Sequence, residues 1–170
     1  MTLPRAIVAA LRAAVARAVR SRRPDFLVGP LDDPYLQRWW LVPRNRVFNV
    51  YLHHFRHSDD DRALHDHPWA FCSVLLSGGY REITPIGKSG TQQLISWRDE
   101  GSVAFCPATH THRVELIDNR ACWTLFITGP RVRNWGFHCP HGWVPWQVFT
   151  KPGAEGEIGR GCGETFGGKQ

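Results

Sequence analysis

Leu64-His65-Asp66-His67-Pro68-Trp69 is the stretch whose reading decides the fold. Side chains alternate between the two faces of a β-strand, so on a strand His65 and His67 point the same way and Asp66 turns away. Two imidazoles side by side can grip one divalent ion, but they need a third donor. Pro107-Ala108-Thr109-His110-Thr111-His112 repeats the His-x-His spacing on what reads as a second strand. Two strands presenting imidazoles to a shared interior predict a small β-barrel with one metal bound inside it.

The flanking sequence agrees. Residues 47–55 are rich in β-formers, and 58–62 make a charged turn with three Asp. Residues 69–77 form a nearly continuous apolar run, as expected of a strand buried on both faces. Gly78-Gly79 turns the chain and 80–84 returns. Segments 92–97 and 102–106 flank Asp99-Glu100-Gly101, 112–117 and 122–128 flank Asp118-Asn119, and 143–149 reads as a last strand. Short strands separated by turn residues predict an antiparallel sandwich or barrel. Residues 24–45, with Gly29-Pro30, Asp33-Pro34 and Pro43, read as a connecting region in which Trp39 and Trp40 pack at the core edge. His138-Cys139-Pro140-His141 reads as a loop with surface imidazoles.

The ends differ from the middle. Leu3, Ile7, Leu11, Val15 and Val19 form a stripe at i, i+4 spacing and predict a helix over 3–20, closed off by Pro24. The favoured role is packing on the barrel or on a partner subunit; a membrane-surface helix and an organelle transit peptide are the alternatives. The expected organisation is this amphipathic helix within 1–24, a barrel over 25–150 and a flexible Gly-rich tail over 151–170.

Bulk composition sets bounds on these readings. The chain has 170 residues, one domain's worth, and its eight Trp and nine Phe are enough for a sizeable core. The net charge of +6 is concentrated at the start: residues 1–23 carry six Arg and no acid, while the remainder balances fifteen basic against fifteen acidic residues. That placement argues against a nucleic-acid groove on the barrel. Five Cys without a Cys-x-x-Cys, and no secretory h-region, read as a reduced, cytoplasmic protein, and no apolar run is long enough for a membrane span.

These residues resemble the cupin superfamily, small jelly-roll barrels with a central metal. In the first cupin motif His65 and His67 fit, Cys72 stands in the usual Glu slot, Gly79 fits, and Asp59 stands where a leading Gly is usual. In the second motif Gly101, Pro107 and His112 fall in register, while Thr109 replaces a Gly and Leu116 an Asn. More specifically, the chain is similar to small bacterial and phage cupins that carry His-Asp-His-Pro-Trp and a Trp- and Gly-rich ending such as 135–146. The resemblance implies an all-β cupin jelly-roll barrel with an N-terminal α-helix and a Gly-rich tail. It implies metal ligation by His65, His67 and His112, with His110 and Cys72 as further candidates.

Three neutral imidazoles without the Glu leave the ion's +2 charge uncompensated, which favours Lewis acidity and anionic substrates. Three-His centres also resemble the thiol dioxygenase branch of cupins. The expectation is therefore a small-molecule metalloenzyme, dioxygenase-like, holding a divalent metal with Fe(II) favoured over Zn, Ni or Mn. A Zn- or Mn-dependent isomerase or hydrolase, or a non-catalytic small-ligand-binding cupin, is the alternative. No catalytic residue is assigned. Arg81, Tyr51 and His53 are candidates to line the pocket, Arg113 is placed away from the metal by alternation, and a homodimer is compatible with the apolar stripe on the first helix.

Overall fold

The computed structural model describes residues 1–59, 63–87, 92–151 and 159–163. Helix α1 (Arg5–Val19) precedes β1 (Phe26–Val28), β2 (Leu36–Trp40), β3 (Asn49–Phe55), β4 (Leu64–His65), β5 (Phe71–Ser77) and β6 (Tyr80–Ile86). Then come β7 (Gln92–Arg98), β8 (Val103–Cys106), β9 (Arg113–Leu116), β10 (Cys122–Thr128), β11 (Gly136–Cys139), β12 (Gly142–Pro145) and a short helix α2 (Trp146–Phe149). One antiparallel sheet runs β1-β2-β3-β10-β5-β8, and two three-stranded sheets, β12-β11-β4 and β7-β6-β9, face it. His65 and His112 join the two short sheets. They exchange both backbone hydrogen bonds, His65 N–H to His112 O at 2.8 Å and His112 N–H to His65 O at 2.9 Å. His65 and His112 are thus the seam of the second wall, but the expected strands are corrected: β4 ends at His65 and β9 begins only after His112, so His67 and His110 lie outside any strand.

Alternation along the six-stranded sheet sorts its two faces. Trp39, Leu52, Val74, Leu76 and Val103 share the outer face, where Leu3, Leu11, Val15 and Val19 pack on them. Helix α1 therefore lies on the barrel, as the favoured reading of its stripe expected. Ile7 is the stripe member left exposed, and Val8 is buried instead. The helix covers one side of β5 and the barrel interior the other, which is why 71–77 reads as a continuous apolar run. On the inner face, Tyr51, Phe71, Cys106 and Phe126 form one cluster. Leu75, Tyr80, Val114, Leu116 and Cys122 form another. Among the described residues no helix is long and apolar enough to cross a membrane.

Two glycines are required by geometry. Gly78 turns β5 into β6 at φ +82, and a Cβ there would meet the Ala121 carbonyl oxygen and the Cys122 Cβ at 2.9 Å. A Cβ on Gly136 would lie 2.1 Å from the Val144 carbonyl oxygen, so only glycine lets β11 approach β12 this closely.

Several local expectations are corrected. The region read as connecting contains β1 and β2, which extend the main sheet through the registers Leu27↔Gln37 and Arg38↔His53. Flanking Pro and Gly concealed the short alternating run. The predicted strand over 143–149 stops at Pro145, which has no N–H to continue a ladder. The chain then turns into α2, which buries Phe149 against Phe137 with ring centroids 3.6 Å apart. The predicted loop at 138–141 is half strand: His138 and Cys139 belong to β11. Five free thiols were expected, but Cys139 and Cys162 form a disulfide across 23 residues. The backbone N–H groups of Gly159 and Gly161 also bond the Phe149 carbonyl, at 2.9 and 3.1 Å, so this part of the tail is tied to α2. The expected mobility of residues 152–158 and 164–170 lies outside the described residues.

Candidate metal centre

The ring nitrogens of His65, His67 and His112 lie within 4.8 Å of one another. Each arrives by a different route. His65 ends β4, where its backbone is held by the bridge to His112. His67 follows two residues later, just before Pro68, and its ring packs edge-on against Phe71 at 4.8 Å. His112 immediately precedes β9 and is buried. The three ring centroids are 4.9 to 5.2 Å apart.

Hydrogen bonding fixes which nitrogens are free. His112 Nδ1–H donates to Glu82 Oε1 at 2.9 Å, so the His112 Nε2 carries the lone pair. That Nε2 sits 3.0 Å from the Nε2 of His67. The Nδ1 of His65 lies 3.8 Å from an Asp59 oxygen, on the other side of its ring. Burial lowers the pKa of His65 to about 4, opposed by Asp59, and pushes that of His67 well below the usual imidazole value, aided by the neighbouring imidazoles. Both rings are neutral at pH 7. Neutral, converging imidazoles are the donor set a divalent ion takes, and the arrangement fits one.

Glu82 is the residue that sequence reading missed. It is 3% exposed and lies on the inner face of β6. Its Oε1 accepts from His112 and from His110 Nε2–H at 2.8 Å, and its Oε2 accepts from Arg98 Nη2 at 2.6 Å. Burial raises its pKa, but the bonds from His110, His112 and Arg98 outweigh that and hold it well below the carboxylate range. Glu82, His110 and His112 form a second compact group. It uses the opposite edge of the His112 ring, and the carboxylate is already filled by hydrogen bonds. The signal for Glu82 was strand alternation. Arg81, singled out as a pocket candidate, points outward to an ion pair with Glu115, so its neighbour must point in.

The other candidates separate cleanly. His110 is half-buried and turned to Glu82; bonds to the Cys106 sulfur and to Glu82 raise its pKa to about 9. Cys72, offered as a replacement for the usual Glu, is corrected: it packs on the outer face of β5, in the cluster under α1, while Phe71 faces the imidazoles. Tyr51 and His53 do lie on the inner face, stacked at 5.8 Å. Asp66 turns away as alternation required. It is 1% exposed and accepts from Gly136 N–H at 2.9 Å, His138 Nε2 and Trp143 Nε1 at 3.1 Å, and Arg133 Nη1 at 2.9 Å. The middle residue of the His-Asp-His triplet thus fastens the Trp- and Gly-rich ending to the seam.

Neither a protein-family model nor a curated protein sequence matches the chain. Solved structures do. The DMSP lyase DddQ from Ruegeria pomeroyi DSS-3 superposes with a TM-score of 0.56 at 18% identity, over 83% of this chain and 73% of that one. FeII HppE superposes with a TM-score of 0.51 at 12% identity, over 64% of this chain, which spans 57% of that protein. A conserved protein with a double-stranded β-helix domain from Klebsiella pneumoniae subsp. pneumoniae MGH 78578 gives 0.48 at 16% identity, over 65% of this chain and 90% of that one. The six-stranded sheet, the wall facing it and the superpositions on DddQ and FeII HppE agree on the fold, an antiparallel jelly-roll barrel of the cupin type.

Proposed function

We propose that the chain is a metal-dependent cupin enzyme that holds one divalent ion, Fe(II) by preference, through His65, His67 and His112, and acts on a small molecule in the barrel. The observation that carries this is the fixed lone pair of His112, set by Glu82 and meeting the rings of His65 and His67. A neighbour solved with Fe(II) supports a redox ion in this fold. Such an ion supplies Lewis acidity and, with O₂, oxidation of the bound molecule. The chain's own residues do the rest. Glu82 holds the His112 ring in one tautomer and returns negative charge to a centre of neutral ligands, Arg98 keeps Glu82 ionised, and Phe71 and Phe126 pack against the His67 ring. A second reading, a Zn- or Mn-dependent reaction without O₂, is favoured by the similarity to a lyase.

Elemental analysis of the full chain purified without chelator tests both. One Fe per chain, with O₂ uptake when substrate is added, is the expected result; Zn or Mn would transfer support to the second reading. Substituting His65→Ala lowers the occupancy sharply. Unchanged stoichiometry in that variant would remove His65 from the ligand set.

A further inference from the structure

Arg38, His53 and Thr124 stand at one level of the inner face of the six-stranded sheet. The ladder sets Arg38 opposite His53 on β2 and β3, and His53 opposite Thr124 on β3 and β10. Arg38 Nε–H donates to His53 Nε2 at 2.8 Å. The proton of neutral His53 is therefore on Nδ1, and that nitrogen is buried with no hydrogen-bond partner among the described residues. The Thr124 hydroxyl, in a residue 1% exposed, is likewise buried without one among the described residues. The Arg38 guanidinium lies over the Tyr51 ring at 5.0 Å and the Phe26 ring at 5.7 Å, and among the described residues no carboxylate is paired with it. Burial lowers its pKa only to about 10, so it is charged at neutral pH.

A guanidinium and two orphaned polar groups in a barrel interior are costly unless something completes them. The interior carboxylates cannot. Glu82 is taken by His110, His112 and Arg98, Asp66 by four donors, and Asp59 by Tyr35 and the Val114 N–H. The row also faces the imidazoles. Phe126 stacks on His53 at 4.8 Å and lies 6.1 Å from His67, so one phenyl ring separates the row from the candidate metal centre.

We propose that Arg38, His53 and Thr124 form the subsite that takes the carboxylate of a small substrate. The guanidinium binds the two oxygens side by side through its Nη groups while its Nε–H stays on His53 Nε2; the His53 Nδ1–H, on the far edge of that ring, and the Thr124 hydroxyl are left for a second polar group of the same molecule. This rests on the preceding proposal for where the substrate's reacting end lies, but the subsite itself needs no metal. It makes the substrate a short carboxylic acid, anchored at one end and presented to the imidazoles at the other.

The test is calorimetric titration of acetate into the full chain after metal removal, with chloride matched. Saturable binding at one acetate per chain is expected. In Arg38→Met the affinity falls at least about ten-fold, as loss of a charge-assisted pair requires. In Arg81→Gln, whose guanidinium is on the outer side, it stays within about two-fold of the parent. His53→Phe preserves the ring stack on Phe126 and removes the Nε2 acceptor that holds the Arg38 guanidinium in place, so it weakens binding several-fold and decides the matter where Arg38→Met does not fold. Absence of saturable binding to the parent chain, or equal affinity in either folded variant, overturns the subsite. Metal titration of the same samples reads the imidazole site separately, so failure of one proposal is distinguishable from failure of the other.

Discussion

The two faces of the six-stranded sheet are built on opposite principles. Outward, Trp39, Leu52, Val74 and Leu76 meet the apolar stripe of α1. Inward, the same strands present Arg38, His53 and Thr124 beside Tyr51 and Phe126, facing a wall that carries His65, His67, Glu82 and His112. One face is closed by apolar burial. The other holds polar groups that the chain leaves incompletely paired, and the cost of keeping them there is the physical sign of a site.

The largest contrast is expected from the apolar side. Leu52→Ala should lower stability by about 2–5 kcal/mol, measured by denaturant unfolding, and leave metal stoichiometry untouched. A change in stoichiometry would show that the two faces are not independent. Acid should act through the buried imidazoles of the inward side. Burial holds the His65 pKa at about 4 and that of His67 well below the usual imidazole value, whereas in the unfolded chain they titrate near 6.5. Below pH 6.5 the unfolded state therefore binds more protons than the folded one. Stability of the metal-free chain is complete above that pH and falls as pH drops toward 4, by up to about 1.4 kcal/mol per pH unit for each such ring. A flat stability profile over that window would contradict the buried, neutral state of the rings.

Smaller effects probe the supports. Glu82→Gln should weaken metal affinity about 10–100-fold, because the His112 tautomer loses its ionised acceptor while the three imidazoles remain. An unchanged affinity in competition with a chromophoric chelator would leave Glu82 a merely structural partner of Arg98. The smallest effect belongs to Cys72→Ala. Cys72 is on the outer face, so metal affinity should not change, and the loss of stability should stay below about 1.5 kcal/mol for removal of one small, partly buried group. A drop in metal affinity would return Cys72 to the site.

Some of this was legible because it depends on local periodicity. The i, i+4 stripe of α1 expresses helix geometry directly, and the His-x-His spacing flagged His65 and His67 although β4 ends at His65. What escaped reading depended on partners distant in sequence. Glu82 was overlooked beside Arg81 because which of two adjacent residues points inward is set by pairing of β6 with β7 and β9. Arg38 lay in a segment punctuated by prolines, and nothing nearby announces that it reaches His53. Cys139 finds Cys162 across a stretch with no spacing rule.

The order of residues thus dictated the strands, the seam of paired histidines and the apolar helix, since each arises from neighbours a few positions apart. Folding chose the carboxylate behind His112, the guanidinium over Tyr51, the outward turn of Cys72 and the disulfide on the tail. Those choices come from sheet register and from which faces meet across the barrel, and contacts of that kind are set only when the whole chain has closed.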